Sequence, residues 1–307
     1  MKKRTGRSIL FVVLSMMTLS GCGTVGSMPA GTSPSAEPSA LQTTAAQAPP
    51  LAPSLTATPE AAQVSSGKLD AKAQKTTLLN RYSPLSPSKW GEHVPGVLTH
   101  LQTKEKVIAL TFDACGGKEG SGYDEKLIDY LVKAHIPATL FMNARWIDAN
   151  PGTFAKLAAD PLFEIENHGT EHRPLSVNGK AAYGIAGTKS VSGVIDEVKD
   201  NADKIEKLTG RRPLFYRSGT AYYDEVAVQI VQDLGFQAVN YNVLGDAGAT
   251  YNTQQVYQAL MKAHNGAIVL AHMNQPEKDT AEGVIKAVPE LQKAGFRFVQ
   301  LSAYPLE

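Results

Sequence analysis

The sequence predicts an α/β fold, a distorted (β/α) barrel with about seven parallel strands, on three observations. Short apolar β-type runs alternate with longer amphipathic runs from residue 107 to the end of the chain. Gly210, Gly235 and Gly295 stand where amphipathic runs stop, as helix C-termini favour. Residues of catalytic type follow the strand-like runs, and the carboxyl ends of parallel strands share one face.

In order, strands are expected at residues 107–112 (VIALTF), 138–141 (ATLF), 163–166 (FEIE), 214–216 (LFY), 238–241 (AVNY), 267–271 (AIVLA) and 297–301 (RFVQL). Each is short and rich in aliphatic or aromatic residues. Helices are expected between them at 124–134, 151–159, 193–209, 224–234, 253–264 and 280–294. In the first of these, Leu127, Tyr130, Leu131 and Ala134 recur at helical spacing. Strand-helix alternation of this kind gives parallel strands covered by helices, here one strand short of a full eight-fold barrel.

Upstream the composition changes. Residues 1–8 (MKKRTGRS) are cationic and residues 9–19 (ILFVVLSMMTL) are apolar; a bilayer-spanning helix needs about 20 apolar residues, so this run reads as a signal-peptide core. Leu19-Ser20-Gly21-Cys22 resembles a bacterial lipobox, which implies a lipidated Cys22 and an exported lipoprotein anchored on a membrane facing the periplasm or cell wall. Residues 22–78 are dominated by Ala, Pro, Ser and Thr and read as a disordered tether. The organisation expected is therefore a signal peptide over 1–21, a tether over 22–78 and one catalytic domain over 79–307.

Composition excludes several classes. Of 307 residues, 43% are hydrophobic and 19% charged, which is ordinary for a globular α/β chain and rules out coiled-coil and collagen-like folds. Thirty Lys and Arg against 29 Asp and Glu leave a net charge of +1, too small to support a nucleic-acid partner. Two cysteines, Cys22 and Cys115, cannot make a disulfide scaffold. A monomer is expected.

The polar residues after the strands carry the chemistry. Asp113 follows the first strand, His168 and His172 the third, Arg217 the fourth, Asp246 the fifth and His272 the sixth. His168-Gly169-Thr170-Glu171-His172 sets two imidazoles four residues apart, a spacing that lets a tight loop aim both at one metal ion. Asp113 at a strand end either caps the following loop or works as a base.

These segments resemble the polysaccharide deacetylases, metal-dependent hydrolases that remove acetyl groups from N-acetylated or O-acetylated glycans. The family's T-F-D-D motif is met by Thr111-Phe112-Asp113-Ala114, H-[ST]-x-x-H by His168 to His172 with Gly169 in place of the hydroxyl residue, and L-x-H by Leu270-Ala271-His272. Arg217-Ser218-Gly219-Thr220 meets R-x-P-Y only in part, and Leu244-Gly245-Asp246-Ala247 is a relic of the family's fourth motif. The resemblance implies that His168 and His172 bind a divalent metal, zinc above others, and that Asp113 takes a proton from the attacking water. It implies that His272 protonates the leaving amine, Asp246 holds that imidazole in its charged form, and Arg217 orients Asp113. A backbone N–H near Thr220 would hold the oxyanion and Leu270 would face the acetyl methyl. Trp146, Tyr222, Tyr223 and Tyr251 are candidates for stacking on sugar rings, with buried packing as the alternative for each.

Ala114 departs from the family, whose second aspartate of that motif is the third protein ligand of the metal. Three outcomes stay open: a site of two histidines, water and Asp113; a substitute from Cys115, Asp124 or Glu166; or loss of metal catalysis. The residue after Ala114 is expected to point away from the site, leaving Cys115 as a small buried hydrophobe. The function expected is a lipid-anchored deacetylase of a cell-envelope glycan such as peptidoglycan. A silent carbohydrate-binding lipoprotein and a Cys115-dependent amidase are the alternatives.

Overall fold

The computed structural model describes residues 71–307; the expected signal peptide, the lipidation of Cys22 and the tether up to residue 70 lie outside the described residues. The described part opens with helix α1 (Ala71–Tyr82), so the boundary expected at residue 79 is too late. Leu78 and Tyr82 are 4% and 1% exposed because they pack into the apolar layer of Val191, Val194 and Val198, and the Tyr82 hydroxyl donates to Asp233 Oδ2 at 2.8 Å.

The elements that follow are β1 (Trp90–Gly91), β2 (Val107–Ala114), α2 (Glu125–Lys133), β3 (Ala138–Met142), α3 (Ala144–Ala149), α4 (Pro151–Ala159), β4 (Phe163–Asn167) and α5 (Val191–Thr209). Then come β5 (Phe215–Tyr216), β6 (Tyr223–Asp224), α6 (Glu225–Asp233), β7 (Gln237–Ala238), β8 (Val243–Leu244), α7 (Thr253–Leu260), β9 (Ala267–His272), α8 (Thr280–Lys293) and β10 (Arg297–Val299). Side chains fix several helix starts: Asp124 accepts from Leu127 N–H and Asp224 from Ala227 N–H, and Asn252 with Gln255 forms a capping box.

Seven strands run β7-β5-β4-β3-β2-β9-β8, and neighbours along this order pair in parallel. The eighth, β10, pairs with the first half of β2, at Val107 to Ala109, whereas β3 pairs with its second half, at Thr111 to Ala114. This is the curled α/β half-barrel expected. The strand expected at 238–241 is cut short: the chain makes β7 at Gln237–Ala238, keeps one bridge from Val239 to Leu98, and returns as β8 at the opposite end of the strand order. The cause is visible in the backbone. The carbonyls of Val239 and Asn240 accept from Arg217 Nε and Nη2, so the guanidinium occupies acceptors that a neighbouring strand would need.

Side chains alternate between two layers. Val107 and Ala109 of β2 face inward with Phe141, Phe215, Val239, Ile268 and Val299. Ile108, Leu110, Phe112 and Ala114 face outward into the larger layer beneath α2, α3 and α8. Thr111 and Asp113 continue the inward series, and they are polar because that face opens on the site.

Candidate active site

Five segments converge at the carboxyl ends of the strands, each positioned by a strand that stops there. Asp113 lies at the end of β2, His168 just after β4, Arg217 just after β5, Asp246 just after β8, and His272 ends β9. All of the predicted acid-base and metal-binding residues are therefore brought to one rim.

Arg217 is the anchor. It is fully buried, yet its guanidinium is satisfied: Nη1 donates to Asp113 Oδ1 and to Thr111 Oγ1, each at 2.8 Å, and the group lies 4.1 Å above the Phe141 ring centroid. Oδ2 of Asp113 is left facing His168 Nε2 at 3.6 Å. Burial opposes ionisation of Asp113, but the Arg217 charge beside it, with His168 and His272, holds its carboxyl below the usual carboxylate range.

On the adjacent strand β9, His272 is the register partner of Asp113, and its Nδ1 lies 2.9 Å from Asp246 Oδ1. The other carboxylate oxygen accepts from the His272 backbone N–H at 2.7 Å and from Thr280 Oγ1 at 2.9 Å. Burial works against a charged imidazole, and the Asp246 carboxylate more than offsets it, holding His272 well above the ordinary imidazole range.

His168 Nδ1 is 3.0 Å from the Arg217 carbonyl, so Nδ1 carries the hydrogen and the lone pair sits on Nε2. The His172 ring stands edge-on to it, centroids 4.9 Å apart, and His172 Nε2 is buried without a hydrogen-bond partner. Cys115 Sγ lies 3.9 Å from His168 Nε2. The three ligand atoms of Cys115, His168 and His172 all fall within 4.8 Å of one another. Two imidazole nitrogens and a sulfur, one of them an orphaned buried acceptor, fit a divalent metal.

The expectation for Cys115 is corrected by this placement. Strand alternation puts Asp113 inward and Ala114 outward, which returns Cys115 to the face of Asp113. Cys115 belongs to none of the apolar clusters. Burial raises its thiol, but the neighbouring His172 and the contact with His168 bring it well below the ordinary range. Asp124 and Glu166 are not substitutes: Asp124 caps α2, and Glu166 Oε2 accepts from the N–H groups of Leu214 and Phe215. Trp146 and Tyr223 are fully buried, the former donating to Gly122 O and the latter's hydroxyl accepting from Ser218 N–H, so neither offers a face to a sugar. Tyr251 packs partly buried on the outer layer. Tyr222 stays at the surface, 5.6 Å from Trp90 and 5.4 Å from Tyr183 between ring centroids.

Sequence reasoning missed the residues that hold the histidine loop. Asn143 Nδ2 donates to the carbonyls of His168 and Gly169 at 3.0 and 2.7 Å. Glu197, on α5, accepts from the N–H groups of Glu171 and Arg173, which flank His172. Gly169 has φ +79, and a Cβ there would meet Glu197 Oε1 at 2.4 Å. A hydroxyl residue there would have to push Glu197 away from the N–H groups of Glu171 and Arg173 that it holds. Gly169→Ser is expected to cost about 1–3 kcal/mol of stability, since it adds both left-handed backbone strain and a collision. Denaturant unfolding checks this; a Gly169→Ser protein as stable as wild type would show that Glu197 does not fill that space.

The sequence matches the polysaccharide deacetylase family model over residues 100–239. It is 29% identical over 205 residues to the peptidoglycan-N-acetylmuramic acid deacetylase PdaA of Bacillus subtilis, covering 64% of this chain and 70% of that one. The structure of PdaA, a family 4 carbohydrate esterase, superposes with a TM-score of 0.57 at 25% identity, over 76% of this chain and 90% of that one. A peptidoglycan-N-acetylglucosamine deacetylase from Bacillus cereus is 27% identical, covering 67% of this chain and 91% of its own. A CE4 family pseudoenzyme from Bacillus anthracis shares the fold at a TM-score of 0.57 and 22% identity, over 69% of each chain. Matched sequence and a shared half-barrel agree: residues 100–239 match the polysaccharide deacetylase family, and the fold around them is that of its members.

Proposed function

We propose that this protein is a metal-dependent deacetylase that hydrolyses N-acetyl groups of peptidoglycan or a closely related envelope glycan. The observation that carries the reading is the pair of hydrogen-bonded couples, Asp113–Arg217 and His272–Asp246, side by side on β2 and β9 with His168 next to Asp113. A binding module has no use for a positioned base beside a positioned acid. The names of the similar proteins from Bacillus subtilis and Bacillus cereus point to peptidoglycan as the substrate class.

A divalent cation held by the His168 and His172 nitrogens would polarise the acetamide carbonyl and make nearby water more acidic. Arg217 fixes Oδ1 of Asp113 and thereby leaves Oδ2 as the proton acceptor for the attacking water. Asp246 fixes Nδ1 of His272 and leaves its Nε2–H to protonate the departing amine. Thr220, in the turn after Arg217, would present a backbone N–H to the oxyanion. Leu270 is 5% exposed, two residues before His272 on β9, and supplies an apolar contact for the acetyl methyl. Trp90, Tyr183 and Tyr222 form an aromatic cluster on which a sugar ring can stack. The cationic leader and the Leu19–Cys22 segment support export and a lipid anchor through Cys22.

The test is acetate release from a panel of muropeptides and N-acetylated oligosaccharides, before and after chelation and with zinc or cobalt returned. Release lost on chelation and regained with metal is expected, and His272→Ala should lower it by about 10²–10⁴-fold. No acetate from any glycan with metal restored would overturn the reading.

A further inference from the structure

We propose that the Cys115 thiolate is the third protein ligand of the metal, in place of the carboxylate that Ala114 lacks, giving a His₂Cys site that selects zinc or cobalt over magnesium and manganese. The inference rests on the reading of His168 and His172 as ligands. Its geometry is already close to assembled. A tetrahedral ion with metal–sulfur about 2.3 Å and metal–nitrogen about 2.0 Å sets sulfur and nitrogen about 3.5 Å apart, and Cys115 Sγ to His168 Nε2 is 3.9 Å. Both imidazoles have a lone pair to give: His168 is fixed by its Nδ1 contact to Arg217 O, and His172 Nε2 is buried and unpartnered. The rival carboxylates are held elsewhere by one oxygen each, Asp113 by Arg217, Asp124 by the α2 N-terminus and Glu166 by the β5 backbone, and among the described residues the ligand atoms that cluster are those of Cys115, His168 and His172.

The backbone is shaped for this as well. Gly116 has φ +70, and a Cβ there would stand 2.5 Å from Trp146 N, so the chain turns sharply just past Cys115 only because no side chain intervenes. Arg145 Nη2 donates to the Cys115 carbonyl at 3.4 Å, fixing the residue from the other side. Thiolate and imidazole ligands suit zinc and cobalt, whereas magnesium and manganese prefer oxygen. On binding, the S–H bond of any protonated Cys115 breaks, the metal–sulfur bond forms, and the proton leaves to solvent.

The experiment uses the full chain loaded with cobalt(II) and follows the near-ultraviolet thiolate-to-cobalt charge-transfer band. Wild type should show it. Cys115→Ser should lose it and weaken zinc binding by more than about 100-fold, beyond the 10–100-fold typical of residues that only orient ligands. Cys115→Asp should lose the band while keeping most of the zinc affinity. Circular dichroism reports folding of each variant. As a measurement on wild type alone, alkylation of the Cys115 peptide by iodoacetamide, resolved from Cys22 by mass spectrometry, should be suppressed by zinc. Cobalt-bound wild type with no charge-transfer band, or zinc affinity retained in folded Cys115→Ser, overturns the inference. A charge-transfer band without acetate release from any glycan would leave this ligand set standing and remove the deacetylase reading; acetate release with metal but without the band would do the reverse.

Discussion

Asp113→Asn is expected to lower the deacetylation rate by about 10²–10⁴-fold while the protein still folds and still binds its metal. The asparagine carbonyl can accept from Arg217 Nη1 where Asp113 Oδ1 does now, at 2.8 Å, so the guanidinium keeps its contacts with Thr111 Oγ1, the Val239 and Asn240 carbonyls and the Phe141 ring. What is lost is the second oxygen, the one facing His168 at 3.6 Å, which becomes an amide with no basicity. Asp113→Ala differs in kind. It removes the hydrogen-bonded anion from a fully buried cation, and breaking such a pair from one side costs about 3–5 kcal/mol. Steady-state acetate release, elemental analysis and thermal unfolding on both variants separate the two effects. Wild-type turnover in Asp113→Asn would remove Asp113 from the role of base.

Much of this rim is legible in the amino-acid sequence, because apolar strands with polar residues at their carboxyl ends are a strong pattern. Asp113, His168, His172, Arg217, Asp246 and His272 each follow a run of strand character. The failures are physical and specific. Treating Cys115 only as the neighbour of Ala114 turns it away from the site, whereas strand alternation pairs it with Asp113. Glu197 falls on the buried stripe of α5 with Val194, Val198 and Ile205, and a carboxylate on an apolar helical face is the signal that points to the histidine-loop clamp. The break in the sheet after β7 has no local signal, because it follows from a contact between Arg217 and the Val239 and Asn240 carbonyls that joins distant parts of the chain. Trp146 and Tyr223 look like rim aromatics by position, and only the packing of the layers shows that they are buried.

The same alternation makes Ala114→Asp a costly change, even though it restores the family's residue. Ala114 is fully buried in the outward layer with Phe112, Met142, Trp146 and Met273, and it pairs with Met142 across the sheet. A carboxylate there finds no cation and no metal, so it is an uncompensated buried charge, worth about 3–5 kcal/mol against folding. For a domain of this size that is a fall in melting temperature of roughly 6–20 °C. The pH dependence has a definite sign. Desolvation raises the folded-state pKa of the new carboxyl above its unfolded value of about 3.9, so the folded state binds the extra proton. The deficit relative to wild type is therefore small at acid pH, grows as pH rises through that window, and is full at neutral pH. Zinc affinity should not improve, because position 114 faces the helices and not His168 and His172. A variant with wild-type melting temperature at neutral pH and tighter zinc binding would mean that β2 can rotate residue 114 into the site, and the assignment of Asp113 and Cys115 to one face would fall with it.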